Sequence, residues 1–341
     1  MTQGKRLRKR GRFLTGLTYA GLVILGTIFV LPFFWMLSTS LKPSYRIQQF
    51  PPDIIPLMQR YGTHEGKSYP LSIDTKSNSR VLEMGQGSKP GLKWCLYERG
   101  GMAEVNVAEL KPVLGPGFEW SNYSRGLTFI PFFQQLKNTL IISILCVIGS
   151  VLSCSMVAYG LSKIEWKGRG ALFVIVLSTM MLPAQVTMIP VFAIFVKLHW
   201  IDTFLPLVVP SFLGTPFLIF LLRQFFMGIP KELSEAARLD GCSEFGIYRR
   251  VIMPLSKPAL ATVGLFSFLA AWNEFMGPLI YLLDESRYTL SLGLAMFTGQ
   301  YGNEYGMLMA VSTVVTVPII ILFFFTQRTF IQGMTMSGIK G

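Results

Sequence analysis

Six stretches of this chain are apolar over the length a helix needs to cross a bilayer, and no other feature constrains its fold as strongly. They lie at 17–39, 138–162, 171–193, 204–224, 259–283 and 305–327. A hydrocarbon core of about 30 Å takes about 20 residues of helix rising 1.5 Å each. Within lipid only a helix or a closed barrel satisfies its own backbone hydrogen bonds. The six runs therefore predict an all-α membrane protein with six spanning helices. Composition agrees, because 51% hydrophobic against 14% charged residues leaves too little charge for a water-facing surface. The first run follows "GKRLRKRGR". It is longer than the apolar core of a signal peptide and shows no small-residue cleavage site, so it reads as a retained anchor.

A net charge of +13 would also fit a nucleic-acid partner, and placement decides between the two. Lys5, Arg6, Arg8, Lys9, Arg10 and Arg12 fall on one side of the six spans, with Lys163, Lys167, Arg169, Arg223, Lys231, Arg238, Arg249, Arg250, Lys257, Arg328 and Lys340. The short loops of the other side hold only Lys197 and Arg287. Basic residues are retained on the cytoplasmic face. The bias predicts a multi-pass membrane protein with both termini cytoplasmic, membrane lipid as a partner, and no nucleic acid. Cys95, Cys146, Cys154 and Cys242 form no CxxC pair, and His64 and His199 have no ligands at metal spacing, so neither a disulfide framework nor a metal is expected.

The chain thus divides into a basic N-terminus (1–16), a first span with the start of an external loop (17–57), an external insertion (58–116) and a core with five spans (117–341). In the insertion, "SYPLSI", "RVLEMG", "LKWCLYE" and "AEVNVAEL" alternate and are separated by turn residues. They predict a small β-rich module. A partly disordered loop is the competing reading, against which Trp94, Cys95, Leu96 and Tyr97 weigh.

Between the fourth and fifth runs, within 230–258, stands the charged stretch "EAARLDGCSEFGIYRRVIMP". Pro230 suits a first helical turn, Gly241 the left-handed position after a helix, Ser243 a cap, and Pro254 an end. Two short helices joined by a tight turn are predicted. Leu233, Ala236 and Ala237 should share one face, and Phe245, Tyr248 and Ile252 another. A DNA-binding helix-turn-helix is disfavoured because both ends are pinned to membrane spans. A connector lying on lipid headgroups and a docking site for a cytoplasmic protein remain.

"EAARLDG" followed by "VIMP" resembles the EAA loop of ABC-importer permeases: EAA, three residues, Gly, nine residues, Ile, one residue, Leu-Pro. Glu235, Ala236, Ala237, Gly241 and Pro254 match, while Val251 and Met253 depart mildly. "NTLIIS", "AYGLSK", "LPAQVTMIPVF", "FLLRQFFMGIPKEL", "AWNEFMGPL", "YTLSLGL" and "FIQGMTMSGIKG" are similar to the carbohydrate-uptake branch, the second membrane subunit of maltose-type importers. The likeness runs from about 120 to 341 and takes in the first span and "FPPDIIP". The external insertion is the departure. The resemblance implies that the hairpin is a coupling helix pair seated in a separate ATPase subunit, with Glu235, Ala236, Ala237, Asp240, Gly241 and Pro254 as the contact set. It further implies a bacterial or archaeal inner membrane, a second permease subunit and an extracytoplasmic solute-binding protein. The chain itself has no G-x-x-x-x-G-K-[ST] phosphate loop, since "GQGSKPG" has the wrong spacing. ATP and Mg would be used by the partner, with no cofactor bound here and no enzyme activity of its own.

Inside the spans, Asn273 and Glu274 are costly in lipid, and Gln185 lies between Pro183 and Pro190, where a broken helix is expected. With Trp272 they are candidates for the solute path, against the alternative that they tie helices together. A non-sugar solute remains open. A self-sufficient secondary transporter or channel is a weaker alternative, because no internal repeat or ring of pore charges is evident.

Overall fold

The structure is a computed structural model that describes residues 2–299 and 302–335. The side chains of Lys5, Arg6, Arg8, Lys9, Arg10, Arg12 and Arg328, and Lys340 altogether, lie outside what is described. The chain forms two compact units, one of residues 1–126 with 300–313 and one of 127–299 with 314–341.

In the first unit, helix α1 (Thr2–Ser40) leads to the short α2 (Ser44–Ile47). Its apolar part is largely uncovered by protein from Thr15 to Trp35, as a lipid-facing helix requires, and becomes buried at Thr39 and Ser40. The far end of α1 is held by α3 (Ser121–Phe129): the buried Asn122 donates Nδ2 to the carbonyls of Ser40 and Lys42, both at 2.9 Å. Arg46 and Asp53 pair at 2.7 Å within the stretch that precedes the insertion.

The insertion is a β module. Strands β1 (Leu57–Gln59) and β8 (Leu114–Pro116) pair at its base. Between them β2 (Tyr61–His64), β3 (Lys67–Asp74), β4 (Ser79–Gln86), β5 (Leu92–Tyr97) and β6 (Met102–Asn106) form an antiparallel meander, with β7 (Leu110–Pro112) on the free edge of β3. The four alternating segments named above are β3, β4, β5 and the β6–β7 stretch. Glu65 and Gly66, both at positive φ, make the two-residue turn between β2 and β3. Val81, Cys95 and Val105 close a small core with Tyr97 and Leu110 packed on it. The buried Asp74 accepts hydrogen bonds from Ser77 Oγ at 2.6 Å and Tyr97 Oη at 2.8 Å, and these hold its carboxyl below the usual carboxylate range.

The second unit is helical. Its axis is α4 (Phe132–Ser162), followed by α5 (Arg169–Ser178), α6 (Ala184–Lys197), α7 (Leu205–Val208), α8 (Pro216–Gly228), α9 (Lys231–Leu239), α10 (Glu244–Ile247), α11 (Met253–Leu255), α12 (Lys257–Trp272), α13 (Met276–Tyr281) and α14 (Leu290–Ala295). The last helix, α15 (Tyr305–Thr335), begins in the first unit. Helix α4 packs on α8 and α12 through Cys154, Ala158 and Leu161, which join Leu222, Phe226 and Val263 in one buried cluster. Small polar residues let these helices approach closely, as Ser267 Oγ on Ser150 Oγ at 3.0 Å illustrates.

Among the described residues, four of the six apolar runs are helices long and apolar enough to cross a membrane without a sharp bend: Thr15–Ser40, Phe132–Ser162, Leu205–Gly228 and Tyr305–Gln327. The other two are interrupted, the third where a broken helix is expected and the fifth where none is. The third run is two helical segments, Arg169–Met181 and Gln185–Lys197, bent by 99°. Pro183 lacks the N–H a helix needs there and forces Leu182 into an extended conformation. Pro190, by contrast, sits inside α6. In the fifth run, α12 stops at Trp272 after 16 residues, Asn273–Glu274–Phe275 form a break, and α13 resumes.

Candidate functional site

The charged hairpin is built as its sequence predicts at the turn. Gly241 has φ +79°. Its N–H donates to the carbonyl of Arg238 at 3.0 Å, and that of Cys242 to the carbonyl of Ala237 at 2.9 Å. This paired closure of a helix end needs a left-handed residue, which glycine adopts without a Cβ clash. Ser243 then caps α10, its Oγ accepting from Gly246 N–H at 3.2 Å. Arg238 and Glu244 pair across the turn at 2.7 Å.

Beyond the turn two expectations are corrected. Ala237 packs against the bundle core, whereas Leu233, 43% exposed, and Ala236 face outward. Helix α9 therefore turns Ser234 and Ala237 inward and presents Leu233, Ala236 and Leu239, the last 90% exposed, at helical spacing on its free side. On the second helix Tyr248 and Ile252 are buried but Phe245 is 63% exposed. Pro254 does not end that helix. The chain widens into a π turn over Tyr248–Ile252, continues through α11, and breaks at Ser256 with an 81° bend into α12. A proline ring clashes with the carbonyl four residues earlier and offers no N–H to it, and widening just upstream of Pro254 relieves both.

The hairpin is fastened to α4. Tyr159 Oη donates to a Glu244 carboxylate oxygen at 2.7 Å, Ser155 Oγ and Tyr248 Oη lie 2.7 Å apart, and the two tyrosine rings pack at 5.4 Å. Sequence reading missed these contacts because their partners stand 85 and 93 residues apart. Glu235 and Asp240 are exposed, and among the described residues Glu235 has no side-chain partner.

The other end of α4 holds the loop after α13: Asn138 Nδ2 donates to the carbonyls of Ser286 at 2.9 Å and Tyr288 at 3.0 Å. Between the two ends lies a cavity of about 480 Å³. Its walls carry Ser150, Ser211, Thr215, Ser267 and Thr289, the aromatic pair Phe217 and Phe266, and Glu274. Of the four path candidates, the structure brings only Glu274 to this cavity. Trp272 is 3% exposed and stacks on Phe268 at 5.3 Å, turned into the bundle. Asn273 Nδ2 donates to the carbonyl of Leu269 at 2.8 Å and closes α12. Glu274 Oε1 accepts from Gly277 N–H at 2.9 Å and opens α13. The polar pair thus satisfies backbone groups at the break in the fifth run. Gln185 is exposed beside the break in the third.

Apolar helices around a cavity whose largely apolar wall carries five hydroxyls, with an amphipathic hairpin fastened to one end, define a membrane transport subunit. The chain belongs to the family of binding-protein-dependent transport system inner membrane components, whose match covers residues 139–336. It is 42% identical to the arabinooligosaccharides transport system permease protein AraQ of Halalkalibacterium halodurans, over 62% of this chain and 75% of that one. It is 35% identical to the trehalose/maltose transport system permease protein MalG of Thermococcus litoralis, over 72% of this chain and 92% of that one. Among solved structures, a bacterial ABC transporter involved in import of the acidic polysaccharide alginate shares the fold, with a TM-score of 0.63, 23% identity and coverage of 94% and 97% of the two chains.

Proposed function

We propose that this chain is the permease subunit of an ATP-driven importer that passes a sugar oligomer inward by alternating access. Its energy comes from a separate ATPase subunit seated on the hairpin. One observation carries the reading: Leu233, Ala236, Leu239 and Phe245 form an uncovered apolar face around a rigid glycine turn. An apolar face of this kind, edged by the free carboxylate of Glu235, suits a cleft in another protein. The relatives' names, which speak of arabinooligosaccharides and of trehalose and maltose, support the solute class. So does the cavity, where hydroxyls and an aromatic pair match the hydroxyls and apolar ring face of a sugar.

In this reading six spans cross the membrane, two of them broken. Both termini and the hairpin are cytoplasmic, and the β module stands outside. ATP and Mg are bound by the partner, and a second permease subunit and a solute-binding protein complete the assembly. Tagged chain should recover an ATPase from native membranes, and Leu239→Glu should abolish that recovery without lowering the amount of chain in the membrane. A cysteine probe in the β module should be labelled from outside intact cells, and one beside Arg249 should not. Solute uptake by vesicles containing this chain alone would overturn the assignment.

A further inference from the structure

The hairpin covers a second cavity, of about 520 Å³, between the ends of α4 and α8, the start of α5 and the inward face of α9. We infer that this cavity is a binding site for a phosphate-bearing anion, supplied by the headgroup of an anionic lipid. The inference rests on the cytoplasmic placement of the hairpin proposed above.

The lining carries five basic side chains and three carboxylates, a surplus of two positive charges. Two cations are neutralised in place: Lys231 by Glu165 at 3.4 Å and Arg238 by Glu244 at 2.7 Å. The other three have no carboxylate partner among the described residues. Lys163 Nζ donates to the carbonyl of Ile229 at 2.6 Å, Arg169 to that of Ile164 at 3.1 Å, and Arg223 Nε to that of Leu161 at 3.2 Å. All three half-buried groups line the cavity and are held by neutral partners, the carbonyls named and, for the Arg223 guanidinium, also the Phe173 ring 4.0 Å beneath it.

An independent observation points the same way. Ser234 is 3% exposed, lines the cavity, and its hydroxyl has no hydrogen-bond partner among the described residues. A buried hydroxyl without a partner is destabilising, and an oxyanion in the cavity would accept a hydrogen bond from it. Burial, and to a lesser degree the charge of Lys231, push the ammonium of Lys163 below its usual range against the opposing carboxylate of Glu232. Glu235 is the remaining carboxylate of the lining, and it belongs to the face assigned to the ATPase.

Position favours a lipid over free phosphate. The cavity opens where two spans end, and Trp166, in the loop that carries Lys163 and Arg169, is exposed with its Nε1 tied to the carbonyl of Gly160 at 3.0 Å. Tryptophan collects at the membrane–water interface, and basic pockets between helices on the cytoplasmic side take lipid headgroups.

The test uses the purified transporter complex, incubated in detergent with phosphatidylglycerol or phosphatidylcholine, with retained lipid counted by mass spectrometry. Wild type should retain phosphatidylglycerol at least fivefold over phosphatidylcholine. K163Q/R169Q should lose that preference, while R249Q/R250Q, which removes the same charge from the outer side of the hairpin, should keep it. Equal loss in both double variants, or in neither, would overturn the inference. Amine labelling of Lys163 separates the sources: protection by phosphatidylglycerol micelles and not by inorganic phosphate is expected, and protection by inorganic phosphate alone would overturn the lipid assignment. Lipid counting in detergent does not depend on sidedness or uptake, so its failure stays distinct from failure of the proposed function, which labelling of intact cells tests.

Discussion

The two cavities of the helical unit are nearly equal in size, about 480 and 520 Å³, and opposite in chemistry. The first is walled mainly by apolar side chains, with five hydroxyls, two aromatic rings and one carboxylate among them, the second by a lining that carries eight charged side chains. A neutral wall binds a solute through many weak hydrogen bonds and releases it again, which suits passage. A charged wall holds an ion and suits residence. Volume alone would rank the cavities together, and the side chains separate them.

Gly241→Val is the largest expected break in that contrast. Holding a β-branched residue at φ +79° costs more than about 1 kcal/mol. No neighbouring atom lies within 4 Å of an added Cβ, so the effect comes from the backbone and the docking face. Uptake should fall at least tenfold together with ATPase recovery, at unchanged membrane abundance, while the hydroxyl-lined cavity is untouched. Normal uptake would detach the hairpin from function.

Next, Ala270→Trp places a large ring in the first cavity from a residue that lines it without core burial. Uptake should fall several-fold with ATPase recovery and complex yield retained. Loss of yield in proportion to uptake would make the cavity a packing defect and not a route. A smaller effect separates the roles of Glu274. Glu274→Gln keeps an acceptor for Gly277 N–H and should leave thermal stability within about 0.5 kcal/mol, whereas Glu274→Ala loses the cap and should cost about 1 kcal/mol. If the glutamine variant instead changes uptake alone, the carboxylate acts on the solute.

The smallest effect should lie outside both cavities. Hydrogen bonds from Ser77 and Tyr97 lower the Asp74 pKa in the fold, so its contribution is complete above the unfolded value of about 3.9 and is lost as pH falls through the folded value. Expressed alone, the β module should melt cooperatively, with a midpoint that declines below about pH 4. Asp74→Asn should flatten that decline. A melt without a cooperative transition would mean that residues 58–116 do not fold by themselves.

What could be read from the sequence was local. The alternation of β3 to β6 and the Gly241 turn depend on neighbours a few residues apart. So does the break at Pro183, which follows from a missing N–H. The break after Trp272 lies just ahead of Pro278, whose missing N–H leaves the Glu274 carbonyl to Ser291 Oγ at 2.6 Å; the signal read from the sequence was instead the cost of Asn273 and Glu274 in lipid, which reads equally as a solute path. The face of Phe245 was misread because the single turn of α10 and the residue after it bury Ile247 and Tyr248 against the bundle and leave Phe245 outward. Neither cavity was legible, because each is assembled from helices distant in sequence, and Lys163 and Arg169 appeared only as counters of membrane orientation.

The bend at Ser256 makes the chain from Glu244 to Trp272 a crank. Its short arm is held by Tyr159 and Ser155, and its long arm, α12, is 16 residues or about 24 Å in length. A rigid arm of that length turned by about 10° at the bend sweeps its tip through about 4 Å, more than the diameter of a water molecule. The tip carries Trp272 and leads directly to Glu274 at the wall of the first cavity. A shove of modest angle at one end thus becomes a change of bore at the other.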